Sequence, residues 1–176
     1  MPVNIMQRTL KYDAGDSLLT VEEDKYVLKR RLFVIGGGKA SGQMAEALEG
    51  IIPAENITAG IINCKGGVYQ VKKIKIMLAG HPIPDQKGMA GVQEMLSLKQ
   101  RYSIKKGDII LCLVSGGRSA LLPLPLDGIT LEDIQQTTEL LLYCGADIVE
   151  INTIRKHLSK STGGRLGQFF SPATVI

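Results

Sequence analysis

Five apolar runs of strand length recur along the chain, at 32–35, 57–62, 74–78, 109–114 and 174–176. They are nearly continuous rather than alternating in polarity, as expected for strands buried on both faces of a parallel sheet. Helical periodicity fills most of the intervals. The segment 41–51 sets Met44, Leu48 and Ile51 on one face. The segment 86–101 does the same with Met89, Val92, Met95, Leu96 and Leu98, although Gly88 and Gly91 weaken its start. The segment 130–142 opens with Thr130-x-x-Asp133, close to a capping box, and ends near Gly145. A further helix over 147–159 carries Ile148, Ile151, Ile154 and Leu158 at helical spacing and stops at Gly163-Gly164. This alternation predicts an α/β fold: a three-layer sandwich around a mostly parallel, Rossmann-like sheet, with ligand loops at the carboxyl ends of the strands.

Residues 1–176 read as a single α/β domain. The segment 173–176 has the pattern of a buried strand that has only begun, and a terminal carboxylate within a sheet interior is costly. The expectation is therefore a chain truncated at a final strand, part of a longer protein.

Composition narrows the partners. Apolar residues make up 44% and charged residues 22%, which are globular values. The net charge of +4 comes largely from Lys29-Arg30-Arg31, Lys72-Lys73-Lys75 and Lys105-Lys106, each beside the start of a strand, where a solvated cation is ordinary. Five tyrosines, three phenylalanines and no tryptophan leave no aromatic-interleaved basic surface, so no nucleic-acid partner is expected. Cys64, Cys112 and Cys144 are odd in number and widely spaced, which excludes a disulfide framework or zinc site and fits a reducing compartment. No apolar run approaches the roughly 18 residues of a membrane span. A cytoplasmic location with no membrane partner follows as the expectation.

The candidate chemistry lies in four loops. Gly36-Gly37-Gly38-Lys39 follows the first buried strand and precedes a helix, an order that suits an anion held by backbone N–H groups and one lysine. It fails the dinucleotide fingerprint, because Ser41 stands where the third glycine belongs, and fails the P-loop, because Ala40 follows Lys39 and Phe33 takes the first glycine position. Ser115-Gly116-Gly117-Arg118-Ser119 ends another strand and offers N–H groups, two hydroxyls and a guanidinium able to grip a carboxylate or phosphate. Leu113 breaks the nucleophile-elbow pattern around Ser115, so a hydrolase is not favoured. In Gly80-His81-Pro82-Ile83-Pro84-Asp85, two prolines set the path, the lone histidine reads as structural, and Asp85 is a candidate magnesium ligand. Asn152, Arg155 and Lys156 share one helix face near Gly163-Gly164-Arg165, a solvated basic face unless a ligand binds it.

Four co-linear motifs then carry a resemblance: GGGKASGQMA at 36–45, GHPIPDQKG at 80–88, SGGRSALLPLP at 115–125 and GADIVEINTIRKHLSKSTGGRLG at 145–167. With them the chain resembles the amino-terminal domain of the glycerate 2-kinase family, whose second domain is absent here. The resemblance implies ATP-dependent phosphorylation of D-glycerate at its 2-hydroxyl, with ATP and Mg2+ as cofactors and the active site in a cleft between two domains. It places the essential lysine at Lys39. It places anion and substrate contacts at Ser115, Gly116, Gly117, Arg118, Ser119, Asn152 and Arg155, and the glycine-loop reading adds the amides of Gly36, Gly37 and Gly38. Arg118 stands where a small residue is usual, and Thr162 where a lysine is usual. Two other functions stay open: a catalytically incomplete module that binds a small anion or forms a homo-oligomer, and a hydroxypyruvate reductase.

Overall fold

A computed structural model describes residues 2–176. Helix α1 (Pro2–Thr9) leads into an antiparallel meander, β1 (Leu10–Asp13), β2 (Leu18–Val21) and β3 (Asp24–Val27). Strand β4 (Leu32–Gly37) begins the main sheet, which continues with β5 (Ile57–Cys64), β6 (Ile74–Leu78), β7 (Ile109–Val114) and β8 (Thr174–Val175). The order is β6-β5-β4-β7-β8, and every neighbouring pair is parallel. From β4 the chain moves outward through β5 and β6, then returns to the other side of β4 with β7. That reversal opens a crevice beyond the carboxyl ends of β4 and β7, where ligands of doubly wound sheets bind.

The helices are α2 (Ser41–Ile51), α3 (Gln86–Arg101), α4 (Arg118–Leu121), α5 (Leu131–Tyr143), α6 (Ile148–Leu158) and α7 (Arg165–Phe169). Two cores separate the layers, and β4 feeds both because its side chains alternate. Leu32 and Val34 pack with Ala45 and Leu48 of α2, and with Met6, Leu10 and Leu19 of the amino-terminal segment. Phe33 and Ile35 pack with Val92, Met95 and Leu98 of α3 and with Leu166 and Phe170. All six residues of β4 are buried, as the continuous apolar run predicts.

Local sequence rules decide the element boundaries. Thr130 and Asp133 form a reciprocal capping box at α5, and Asp147 and Glu150 form another at α6. The glycines that weaken α3 on propensity have a packing reason. A Cβ on Gly91 would lie 2.0 Å from Asn63 Oδ1, and the buried Asn63 Nδ2 donates to the carbonyls of Gly88 and Leu121 at 2.8 Å each.

Three expectations need correction. The amino-terminal helix and meander had no place in the strand–helix alternation; their four-residue strands are too short to show a periodicity. Strand β8 is exposed rather than buried, because it pairs at the sheet edge with Ile109 and Ile110 only. In α6 the buried pair is Ile151 and Arg155, while Ile148 is 65% exposed. The helix thus turns part of its basic face inward.

The amino ends of β4 and β7 are clasped by the fully buried Asp108. Its carboxylate accepts from Arg31 Nη2 at 2.8 Å, Arg31 Nε at 3.1 Å, Arg30 Nε at 3.2 Å and the Lys105 N–H at 2.9 Å. Burial alone would raise its pKa, but the bond from Arg31, the Lys105 N–H, the Arg31 charge and Arg30 outweigh it and hold the group down at about 2. A lowered carboxylate pKa means stability that is present above the unfolded-state value and lost as pH falls through the folded value. Asp108→Asn should therefore lower unfolding free energy by about 2 kcal/mol at neutral pH. It should also flatten the acid decline of stability that the wild type shows below about pH 4. Urea unfolding at pH 7 and at pH 3 measures both.

Candidate active site

At the sheet reversal lies a cavity of about 580 Å³, lined by residues from five segments. Lys39 comes from the loop after β4 and His81 from the loop after β6. Ser115, Gly116, Gly117, Arg118 and Ser119 come from the turn after β7 and α4, and Asn152, Arg155 and Lys156 from α6. Ile148 and Thr162 complete the wall. The lining has four obligate cations and no carboxylate.

Arg155 organises the far wall. It is 7% exposed, and its three nitrogens reach three different segments. Nε donates to Thr138 Oγ1 of α5 at 3.2 Å, Nη1 to Ser119 Oγ at 3.2 Å, and Nη2 to the Pro82 carbonyl at 2.9 Å. Ser119 Oγ in turn donates to Asn152 Oδ1 at 2.8 Å, which leaves the Asn152 amide N–H groups to point elsewhere. Burial pulls the Arg155 pKa down, and no salt bridge among the described residues compensates its charge. A buried guanidinium held only by neutral oxygens favours an anion beside it.

The glycine loop works differently from expectation. Gly36, Gly37 and Gly38 are not in the cavity wall, and the N–H groups that follow are already bonded. Gly38 N donates to the Asn63 carbonyl at 3.1 Å, Lys39 N to the Gly116 carbonyl at 2.8 Å, and Ser41 N to the Gly38 carbonyl at 3.2 Å. Ala40 N donates to Ser115 Oγ at 3.0 Å. The ring of Tyr69 closes over Gly42, where a Cβ would come within 2.4 Å of it. The amides of residues 38 to 41, which lead into α2, are thus engaged within the protein. The glycines instead permit close packing: a Cβ on Gly36 would lie 2.2 Å from the Leu113 carbonyl oxygen, and one on Gly38 would lie 2.1 Å from Ser115 Oγ. Lys39 itself is exposed and forms no ion pair among the described residues.

The second glycine turn keeps the open N–H groups. None of the amides of Gly116, Gly117, Arg118 and Ser119 donates to a backbone carbonyl among the described residues. Gly117, at φ +87°, is where Lys39 and His81 meet; a Cβ there would lie 2.9 Å from the imidazole and 3.1 Å from Lys39 Cγ. Burial lowers the His81 pKa, and the charges of Lys39, Lys65 and Arg155 lower it further, which favours the neutral imidazole. Thr162 Oγ1 is buried at the wall without a hydrogen-bond partner.

Four of these residues lay outside the expected contact set: His81, Ile148, Lys156 and Thr162. His81 sits in one of the four recognised motifs, and its strand-end position was the available signal. Lys160, two residues before Thr162, instead pairs with Asp127 at 2.5 Å.

The donor set suits a phosphate or carboxylate. It does not fit a magnesium ion. Asp85, the expected ligand, is absent from the lining and caps α3, where its Oδ1 accepts the Gly88 N–H at 2.8 Å. No group of three His, Cys, Asp or Glu side chains gathers among the described residues.

An α/β domain with a cation-lined cavity at its sheet reversal is the class that this fold and site define. Residues 1–176 match the family described as "Domain of unknown function (DUF4147)", and the chain belongs to that family. Named relatives accompany it. A Glycerate 2-kinase of Pyrococcus horikoshii is 43% identical over 163 residues, covering 92% of this chain and 36% of that protein. A D-glycerate 2-kinase of Thermotoga maritima is 38% identical over 148 residues, covering 83% and 35%. A glycerate kinase crystal structure from Thermotoga maritima matches with a TM-score of 0.77 at 33% identity, over 99% of this chain and 38% of that one. A Pyrococcus horikoshii crystal structure gives a TM-score of 0.84 at 40% identity. The chain spans about a third of the length of the curated relatives it matches.

Two glycines with similar backbone geometry isolate the role of the cavity turn. Gly117→Ala and Gly128→Ala both place a side chain at positive φ, +87° and +81°, but only the first meets neighbours. Each should cost about 1 kcal/mol of stability in thermal melts. Calorimetric titration with inorganic phosphate and D-glycerate should show at least a tenfold affinity loss for Gly117→Ala and none for Gly128→Ala.

Proposed function

We propose that this chain is the anion-gripping α/β domain of an ATP-dependent glycerate 2-kinase acting in the cytoplasm. One observation carries the reading: a cavity lined by Lys39, Arg118, Arg155 and Lys156 with no carboxylate of its own. Such a lining is costly in isolation and is offset by a ligand that brings negative charge. Both reactants of a glycerate kinase do so.

The residues divide the work. The Asn152 amide and the free N–H groups of Arg155 hold the glycerate carboxylate. Arg118 and the open amides of 116–119 hold the phosphate chain of ATP. Lys39, long, exposed and unpaired, reaches the phosphoryl group in flight and neutralises the charge spread over its oxygens. Ser115 and Ser119 act through the loop and through Arg155, because both hydroxyls are engaged within the protein. The hydroxypyruvate reductase reading is not favoured, since the amides of residues 38 to 41 in the loop after β4 are bonded internally.

A second reading rests on the same cation-only lining. With no group of its own to hold a divalent ion, the chain binds glycerate or phosphate without turnover unless other residues complete the site. Coupled assay of ADP release with ATP and D-glycerate separates the two readings. Steady turnover supports the kinase; saturable binding without ADP release supports the module. Where turnover is seen, Lys39→Ala should lower kcat by about 100-fold or more while the melting temperature stays within a few degrees, because its side chain is exposed. An unchanged kcat would remove Lys39 from the chemistry.

A further inference from the structure

His81 is the one histidine of the cavity lining, whose other basic residues are Lys39, Arg118, Arg155 and Lys156. Its imidazole rests on Gly117 directly beside the stem of Lys39. It makes no hydrogen bond to the side chain of another described residue. The next residue is anchored, since the Pro82 carbonyl accepts from Arg155 Nη2 at 2.9 Å. The loop thus holds the ring beside the lysine assigned to the phosphoryl group, in the same cavity as the arginine assigned to the carboxylate. In glycerate the 2-hydroxyl lies one carbon from that carboxylate.

We propose that His81 is the proton acceptor for the substrate hydroxyl. The inference rests on the kinase reading and extends it to a residue outside the expected contact set. As the hydroxyl oxygen bonds to the γ-phosphorus, its O–H bond breaks and the proton passes to the unprotonated imidazole nitrogen. The bond from phosphorus to the bridging oxygen breaks, and its electron pair stays on the departing nucleoside diphosphate. The imidazolium then returns its proton to water.

The surroundings suit the role. The charges acting on the ring are Lys39 after β4, Lys65 after β5 and Arg155 on α6, and Arg118 and Lys156 line the same cavity. Burial and these charges hold the ring below the usual histidine range, which favours the unprotonated form that a base needs. No carboxylate lines the cavity to compete as base.

The test uses the full chain with His81→Gln and His81→Ala. For His81→Gln, kcat should fall by about 100-fold or more, with D-glycerate Kd unchanged within about threefold by calorimetry. The wild-type acid limb of kcat, with its midpoint below that of a free histidine, should vanish in the variant. Added imidazole should partly restore His81→Ala. A kcat within tenfold of wild type, a loss confined to Kd, or a retained acid limb would overturn the proposal. The chain has two histidines, so the His81 ring-proton resonance is assigned by His157→Gln. D-glycerate should move it and shift its titration. If wild type binds glycerate without turnover, the kinase reading fails for this chain alone; a His81 resonance that glycerate leaves in place overturns the inference independently.

Discussion

The close approach of two strand ends, β4 and β7, is the constraint on which the rest of this structure depends. Gly36 lies so near the Leu113 backbone, and Gly38 so near Ser115, that any Cβ would overlap them by more than an ångström. Because the strands stay this close to their carboxyl ends, the two loops that leave them touch at once. The Lys39 N–H donates to the Gly116 carbonyl, and the Ala40 N–H to Ser115 Oγ. Lys39 is thereby delivered to the second glycine turn, and the cavity forms around that meeting point. Removing side chains from three consecutive positions is the local sacrifice that builds the site.

At the opposite end of the same strands the chemistry is different. Asp108 gathers Arg30, Arg31 and the Lys105 amide, so a buried carboxylate with strong partners closes the amino ends. The cations there are matched within the fold. Those at the carboxyl ends are not. This asymmetry, paired charge below and unpaired charge above, separates a structural use of basic residues from a ligand-binding one. Net charge alone could not make that distinction, since Arg31 and Lys39 contribute equally to it.

Much of the fold was legible because burial on both faces leaves an unbroken apolar run. Strands β4 to β7 and helices α2, α3, α5 and α6 appear where pattern and caps place them. The amino-terminal meander was not legible, because its strands are short and only half buried. In the site, Lys39 and the Ser115–Ser119 turn could be read from strand-end glycines and polar groups. The task of Gly36 to Gly38 could not, because a glycine that frees N–H groups and one that admits a neighbouring backbone look alike in sequence. Arg155 shows the same limit from the other direction. An arginine on a basic helix face reads as solvated until Thr138, Ser119 and the Pro82 carbonyl, distant in sequence, are seen to enclose it.

That enclosure also explains how the site couples its parts. Arg155 ties α5, α6, α4 and the loop of His81 to one guanidinium, so the carboxylate grip and the imidazole cannot move independently. A ligand anion beside Arg155 relieves the cost of its burial, and the same contact holds the chain from Arg155 through Ser119 to Asn152 in register. Binding and positioning then draw on one interaction. On the proposed kinase reading this economy matters, because phosphoryl transfer asks the protein for little covalent chemistry and for charges placed where the transition state will need them.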